Sequence, residues 1–433
     1  MAIWDHSNET MPREELAQLQ LERLQASLFR AYRNVAFYRK RFDEQGIAPE
    51  EISALEELRR LPFTTRENLR GGYPYDLLAV PLREVVRLHS SSWNSGRPTV
   101  CAYTRNDLRH WTDTVARILT AGGVTRDDVV QIFFGPGMLA NGLGFHGGAE
   151  RIGASVIPTT PGSIEQQIAI MQDFKSTAII GSSGDAGQLA EVIAAQQLDR
   201  RRLSVRVGLF GAEPWSETMR ARIEGNLGVM ALDNYSLSEV GGPGVAGECP
   251  EKCGLHLAED HFIAEIIDPR TGETLPEGQE GELVLTTLTK EALPLIRFRT
   301  HDLATLNTAP CACGRTLARI SRLFKRTDDT LIVKGGKLSP EKVQAVLAEI
   351  EGAEPNFTIF LDRKNGREEV EIVAALSADL AIDTPGKVLA LESRIVDRLL
   401  AVTGLTLRVR LVEAPTLARL AGEGAGHVID RRE

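Results

Sequence analysis

Three clusters of residues in this sequence could do chemistry. The run Ser90-Ser91-Ser92-Trp93-Asn94-Ser95-Gly96-Arg97-Pro98-Thr99 is rich in hydroxyls and closes on glycine, a cation and proline. Backbone N–H groups, hydroxyls and one guanidinium in such a loop can wrap a phosphate, although Ser-rich runs are more often solvated turns. The stretch Asp233-Asn234-Tyr235-Ser236-Leu237-Ser238-Glu239 puts an aromatic face, a hydroxyl and a carboxylate within five residues, ahead of Val240-Gly241-Gly242-Pro243-Gly244. Those groups suit a base, a phosphate and a Mg2+ ion, and an ordinary strand-to-loop turn is the plainer reading. Cys249, Cys253 and His256, with Cys311-Ala312-Cys313, offer thiolates and an imidazole on two turns. Tetrahedral Zn2+ takes that donor set. Cys249, His256, Cys311 and Cys313 are the preferred ligands, and Cys253 is a fifth candidate that could displace one. A closed four-ligand site would be structural; free buried thiols are the alternative.

These clusters need a scaffold. From Asp127 the sequence alternates short apolar runs with helical stretches. Val129–Phe134, Ala154–Pro158, Thr177–Gly181 and Val205–Gly211 read as buried strands, and Ile164–Phe174 and Ala186–Gln196 as helices between them. That alternation predicts parallel sheet and an α/β fold, with ligands at the strand ends. Pro12–Phe42 reads as one long amphipathic packing helix with leucines at helical spacing. Phe262–Leu288 reads as antiparallel strands about a Gly-bearing turn. A hinge is expected at Arg326-Thr327-Asp328-Asp329, and past it a small α+β unit. That unit has a helix from Pro340 capped by Ser339, a hairpin, a helix over Val388–Val402 and a final strand.

At 433 residues the chain exceeds one compact core, and 42% hydrophobic with 25% charged residues is ordinary globular composition. The net charge of −9 argues against wrapping nucleic acid or an anionic membrane surface. No run of about 18 apolar residues occurs, so no transmembrane helix is expected. The start, MAIWDHSNETMPREE, lacks the basic and apolar regions of a secretory signal, which makes the cytoplasm the expected compartment. Five cysteines are too few for a disulfide scaffold.

Taken together, the clusters resemble the phenylacetate–CoA ligase family of the adenylate-forming (acyl-CoA synthetase) enzymes. The likeness spans nearly the whole chain: AYRNVAFYRKRF, GAEPWSETMR, GLHLAEDHFIAEIIDPRTGETLPEGQEGELVLTTLTKEALPLIRFRTHDL and CGRTLARISRLFKRTDDTLIVKGGKLSP carry it. The resemblance implies an α/β N-terminal acyl- and nucleotide-binding domain with a β region over 1–326, and a mobile α+β C-terminal lid over 327–433. Such enzymes join a carboxylic acid to AMP from ATP with Mg2+, release pyrophosphate, and pass the acyl group to the thiol of coenzyme A. By that resemblance Ser91, Ser92, Gly96 and Arg97 meet phosphates, and Ala212, Glu213 and Pro214 border adenine. Tyr235 stacks on the base, and Ser238 and Glu239 face the α-phosphate and Mg2+. Asp302 holds the ribose, with Arg326 beside it. Asp328 is the hinge, and Gly335 and Gly336 line the pantetheine path. Gly135, Pro136, Leu139, Gly142 and Gly241 belong to the acyl pocket. A homodimer is also implied.

The sequence departs from the family in three places. Trp93 and Arg97 stand where the family's phosphate loop has glycine and lysine. The family's lysine near the C-terminus is missing: Lys387 is the last in the chain, and the segment reads Gly422-Glu423-Gly424-Ala425-Gly426-His427. Losing such a preorganised cation typically costs about 3 kcal/mol or more, roughly 10²–10³ in rate. His427 aligns with the family's arginine, and Arg419 is a poor mimic. Gly135-Pro136-Gly137-Met138-Leu139 has fewer rings than the family's counterpart, so an aliphatic acid is as acceptable as an aromatic one. Weakened adenylation with retained thioester chemistry is the expectation, balanced against a slow but ordinary ligase. The alternatives are an acyltransferase moving a preactivated acyl group between coenzyme A and a carrier-protein phosphopantetheine, without ATP, and a non-catalytic acyl or nucleotide binder.

Overall fold

Valine, isoleucine and leucine in runs of four or five cannot be satisfied on one face alone, so they build strands buried on both sides. In the computed structural model, which describes residues 2–90, 98–134, 138–158, 162–323, 325–328, 330–333, 336–364, 367–377, 385–421 and 427–432, these runs form one end of a nine-stranded sheet, with Ser155–Pro158 as its part-exposed edge. Ser155–Pro158, Val129–Ile132, Ala178–Ser182, Val207–Gly211 and Met230–Leu237 lie side by side and parallel. Gly242–Glu248 then returns antiparallel and leads to Leu255–Leu257, Arg319–Ile320 and Leu306–Asn307. Apolar side chains from helices pack against both faces of the parallel part. The expected α/β alternation is therefore present, with helices Ile164–Asp173 and Ser183–Ala195 close to their anticipated bounds.

Phe262–Ile267, Gly281–Thr287 and Phe298–Ala304 form the anticipated antiparallel region as a three-stranded sheet. Its inner face shares a core with the N-terminal helices. Those helices correct one expectation. The single helix over 12–42 is two: Arg13–Asn34 ends where Val35 turns extended (φ −116°, ψ 110°), and Ala36–Gln45 starts anew. Val35 is β-branched and fully buried, and packing it on the core redirects the chain. The periodicity runs on across the break, which is why the sequence hides it.

Residues beyond 330 have a core of their own. The strands Arg408–Val412, Arg367–Leu376, Ala353–Lys364 and Val428–Asp430 make a four-stranded sheet covered by helices Pro340–Ala348 and Pro385–Thr403. Ser339 does occupy the N-cap position, but its side chain makes no capping hydrogen bond; Pro340 at the first position is the start signal instead.

Candidate active site

In a parallel sheet the chain leaves every strand at the same edge, and that edge gathers the functional groups. Gly211 pairs with Asn234, so Ala212 and Tyr235 follow side by side at the carboxyl ends of two adjacent strands. No side chain larger than hydrogen fits at 211, because a Cβ there would lie 2.4 Å from the Asn234 carbonyl oxygen. Ala212 takes φ +66°, an unfavourable conformation for a residue with a Cβ. It turns the chain so that the buried Glu213 carboxylate comes to the start of the helix Ser183–Ala195, with Pro214 following.

From Tyr235 a chain of polar contacts crosses to the far side of the edge. Tyr235 donates its hydroxyl to Asp302 Oδ2 (2.7 Å), and Arg326 donates to the other Asp302 oxygen. Arg326 also grips Asp328 with Nε (2.6 Å) and Nη2 (2.9 Å). Asp302 and Arg326 are additionally joined as a backbone bridge, which fixes Arg326 against the strand Phe298–Ala304. On the other side of Asp328, Arg66 Nη1 lies 3.9 Å from its carboxylate, and Arg66 Nε donates to Glu239 Oε1 (2.9 Å). The order Tyr235, Asp302, Arg326, Asp328, Arg66, Glu239 thus links residues far apart in sequence into one network.

Its electrostatics follow from burial and pairing. Burial pushes the Tyr235 hydroxyl well up, and the Asp302 carboxylate adds to this, so the phenol stays a donor. Burial would raise the Asp328 carboxyl, but the Arg326 guanidinium overrides it and holds Asp328 below the usual range. Arg66 is opposed by burial, and the Glu239 carboxylate outweighs that opposition and raises it. Ser238 is half-buried in the turn after the strand Met230–Leu237. Gly241 follows at φ +150°, and a Cβ added there would meet nothing within 4 Å. Tyr103 donates to the Gly241 carbonyl (3.3 Å). Gly242, at φ +94°, would drive a Cβ to 2.9 Å from the Trp111 ring. Gly142 faces Ile132 and Phe134 from the helix Leu139–Ile152. Gly241 and Gly142 are therefore on elements that border each other through Gly144, which packs on Pro243 and Trp111.

Several anticipated residues lie outside the described residues: Ser91, Ser92, Gly96, Arg97, Gly135, Pro136 and Gly335, as well as Trp93 and Gly424. The ends of the serine-rich loop are described. They close an antiparallel pair, Arg87–Ser90 with Val100–Tyr103, a hairpin not anticipated from the sequence. Arg66 was not anticipated either. It stands at the first position of the short helix Arg66–Gly71, behind the Thr65 cap, and looks like any first-turn residue. Lys290 is another: it is buried over the Tyr103 ring, 3.3 Å from the centroid, and burial brings its ammonium down to about 8. His427 is engaged within its own domain, stacked on Phe357 at 4.8 Å. His146 pairs with Glu150 on its own helix (3.1 Å).

The cysteine cluster assembles as anticipated. One ligand atom each from Cys249, His256, Cys311 and Cys313 lie within 4.8 Å of one another, all four residues buried. Zinc–sulfur bonds of about 2.3 Å in a tetrahedron require sulfurs about 3.8 Å apart. Cys249 and Cys311 are 3.8 Å apart, and Cys313 Sγ is 3.3 Å from His256 Nε2. His256 turns Nδ1 toward the Leu317 carbonyl (3.4 Å), the outer contact that frees Nε2 for a metal. Cys253 lies outside this set. It is exposed, 3.5 Å from Cys311, and Arg319 Nη1 is 2.8 Å from its sulfur. The donor set, closeness and burial all fit Zn2+.

Comparison with known proteins bears on the whole arrangement. Residues 335–432 match the family described as the AMP-binding enzyme C-terminal domain. The chain is 40% identical to the phenylacetate-coenzyme A ligase of Thermus thermophilus over 98% of both chains. It is 42% identical to the enzyme of the same name from Pseudomonas putida, over 98% of this chain and 96% of that one. Among solved structures it superposes on 2-hydroxyisobutyryl-CoA ligase holding 2-HIB-AMP and CoA in the thioesterification state, with a TM-score of 0.91, 27% identity and coverage of 99% and 92%. On the same ligase in the postadenylation state with 2-HIB-AMP the TM-score is 0.72 at 27% identity, again covering 99% and 92%. No helix among the described residues is long and apolar enough to cross a membrane.

Proposed function

The chain belongs to the phenylacetate–coenzyme A ligase family and is an enzyme of the acyl-CoA ligase type, and from that premise we propose that it joins an aromatic or aliphatic carboxylic acid to coenzyme A in two steps on one site. In the first, a carboxylate oxygen of the acid attacks the α-phosphorus of ATP, and pyrophosphate leaves. In the second, the thiol sulfur of coenzyme A attacks the acyl carbonyl, and AMP leaves.

The polar network from Tyr235 to Glu239 is the observation that carries this reading. A carboxylate has room for about four hydrogen bonds, and Asp302 uses its two oxygens for Tyr235 and Arg326. The remaining lone pairs suit the vicinal hydroxyls of a ribose. Tyr235, locked as a donor, offers its ring face beside Ala212, Glu213 and Pro214 for the base. Ser238 and Glu239 stand at the phosphate end, where Glu239 is the carboxylate to hold a Mg2+ ion accompanying ATP. Bound there, Mg2+ would neutralise phosphate charge.

Gly241 and Gly142 border the acyl group. The open space before Gly241 would receive the acid's body, and the family resemblance assigns Gly135, Pro136 and Leu139 to the same pocket. The division at 326/327 gives a lid that turns about Asp328. Arg326 ties this hinge to Asp302, so nucleotide contacts and lid position share one guanidinium. The higher TM-score against the thioesterification state supports a lid set for the second step, with Gly335 and Gly336 along the thiol's path.

Zinc at Cys249, His256, Cys311 and Cys313 would staple the turn after Gly242–Glu248 to the segment before the hinge. Its role is structural, since all four positions are filled by protein. A cytoplasmic homodimer is the proposed setting. With no lysine after Lys387, the lid lacks the cation that usually joins acid and α-phosphate, so adenylation is the slower step. Were that step lost altogether, a carrier-protein or coenzyme A acyl transfer without ATP would remain. Trapping the acyl adenylate with hydroxylamine in the presence of ATP and Mg2+ tests the reading. Hydroxamate from any acid in an aryl and aliphatic panel supports it, and thiol-to-thiol transfer with no hydroxamate replaces it with the transferase.

A further inference from the structure

The network holds three carboxylates, from Glu239, Asp302 and Asp328, against two guanidinia. An incoming carboxylate and a triphosphate would add negative charge to a network whose described carboxylates already outnumber its guanidinia. Arg326 has all three of its nitrogens engaged, by Asp302, Asp328 and the Thr300 carbonyl. Arg66 is not. Its Nε goes to Glu239, its Nη1 faces Asp328 at long range, and its buried Nη2 has no hydrogen-bond partner among the described residues. A buried guanidinium N–H left unpaired is costly, and a charged oxygen is its best partner. The side chain is only 11% exposed, and the Thr65 cap fixes the helix that carries it.

We propose that Arg66, in the N-terminal domain, is the cation of the adenylation step, donating Nη2 to an α-phosphate oxygen as the acid attacks. This assignment rests on the adenylate-forming reading above. It places on a fixed element the charge that the lid, with no lysine beyond 387, does not bring. The phosphate oxygen gains charge as the carboxylate oxygen bonds to phosphorus, and the Arg66 contact strengthens at that moment. Pyrophosphate leaves with the bonding pair, and Arg66 keeps its proton throughout. Because the contact is to phosphate alone, adenosine should not sense it.

The experiment compares AMP with adenosine by calorimetry on the full-length protein and on Arg66→Gln and Arg66→Lys. Losing one charged hydrogen bond should weaken AMP about 10- to 100-fold in Arg66→Gln. Adenosine affinity should stay within about threefold, and Arg66→Lys should restore most of the AMP affinity by charge alone. Acyl-adenylate formation should fall about 10²–10³-fold in Arg66→Gln, while thioester formation from supplied acyl adenylate persists. An unchanged ratio of AMP to adenosine affinity in both variants overturns the assignment and leaves the ligase reading intact. Equal loss of both ligands in both variants also overturns it, since it marks Arg66 as a support for Glu239 only. Wild-type protein that binds neither ligand overturns the adenylate reading itself, and this assignment falls with it.

Discussion

Replacing Asp302 with Asn keeps the size of the side chain and removes its charge. In the free protein Asp302 is 6% exposed and accepts from both Tyr235 and Arg326. Asparagine still has one carbonyl oxygen, so one of these partners is kept and the other meets an NH2 donor. Arg326 retains Asp328 and the Thr300 carbonyl, which limits the structural damage. Losing one hydrogen bond to a charged acceptor costs about 1.5–3 kcal/mol. A melting temperature several degrees lower is the expected stability effect. The nucleotide feels a second loss, because the ribose hydroxyls would donate to the same carboxylate. At about 1.4 kcal/mol per factor of ten, AMP and adenosine should both weaken about 10- to 100-fold. Calorimetric titration with both ligands measures this. Unchanged affinity for both, in a variant that still folds, would refute the ribose role and the placement of the nucleotide along this network.

Elemental analysis should find about one zinc per chain, and Cys313→Ser should lower both zinc content and melting temperature; a metal-free protein of equal stability would remove the zinc site. Gly241→Val should cut turnover of aryl acids by more than about tenfold and spare short aliphatic acids, since the new side chain enters open space and also meets a positive φ. Equal loss for all acids would place the acyl group elsewhere. The acid sensitivity of the fold has a visible contributor in His261. Burial brings its imidazole down to about 3, with Thr289 Oγ1 2.7 Å from Nδ1 and Asp260 3.2 Å from Nε2. The unfolded chain takes up this proton near pH 6.5 and the folded one only near 3, so stability should be full above 6.5 and fall toward 3. His261→Gln should flatten the melting temperature against pH between about 6.5 and 4; an unchanged slope would assign the sensitivity to other groups.

The parallel sheet was legible in the sequence because its inner strands are buried on both faces, and runs such as Ala178–Ser182 leave no polar alternation to mislead. The same logic fails for Arg87–Ser90, a strand of four residues, three of them polar, whose partner lies beyond the serine-rich loop. The break at Val35 was hidden because helical periodicity continues across it. Cysteine and histidine are rare enough that their clustering exposed the candidate metal site, and only packing separates Cys253 from the four that converge. Tyr235, Asp302 and Asp328 were readable through the family resemblance. Arg66 was not, because its partner Glu239 is 173 positions away and arginine after a Thr cap carries no signal of its own. A contact of that span is written in the fold, not in a local motif.

Ligase activity itself is best examined by incubating the protein with ATP, Mg2+, coenzyme A and phenylacetate, alongside a panel of other aryl and aliphatic acids. At least one acid should yield an acyl-CoA product, formed with AMP and pyrophosphate in equal amounts and absent without ATP. No AMP from any acid, together with ATP-independent movement of an acyl group from acyl-CoA to another thiol, would show that the chain is a transferase and not a ligase.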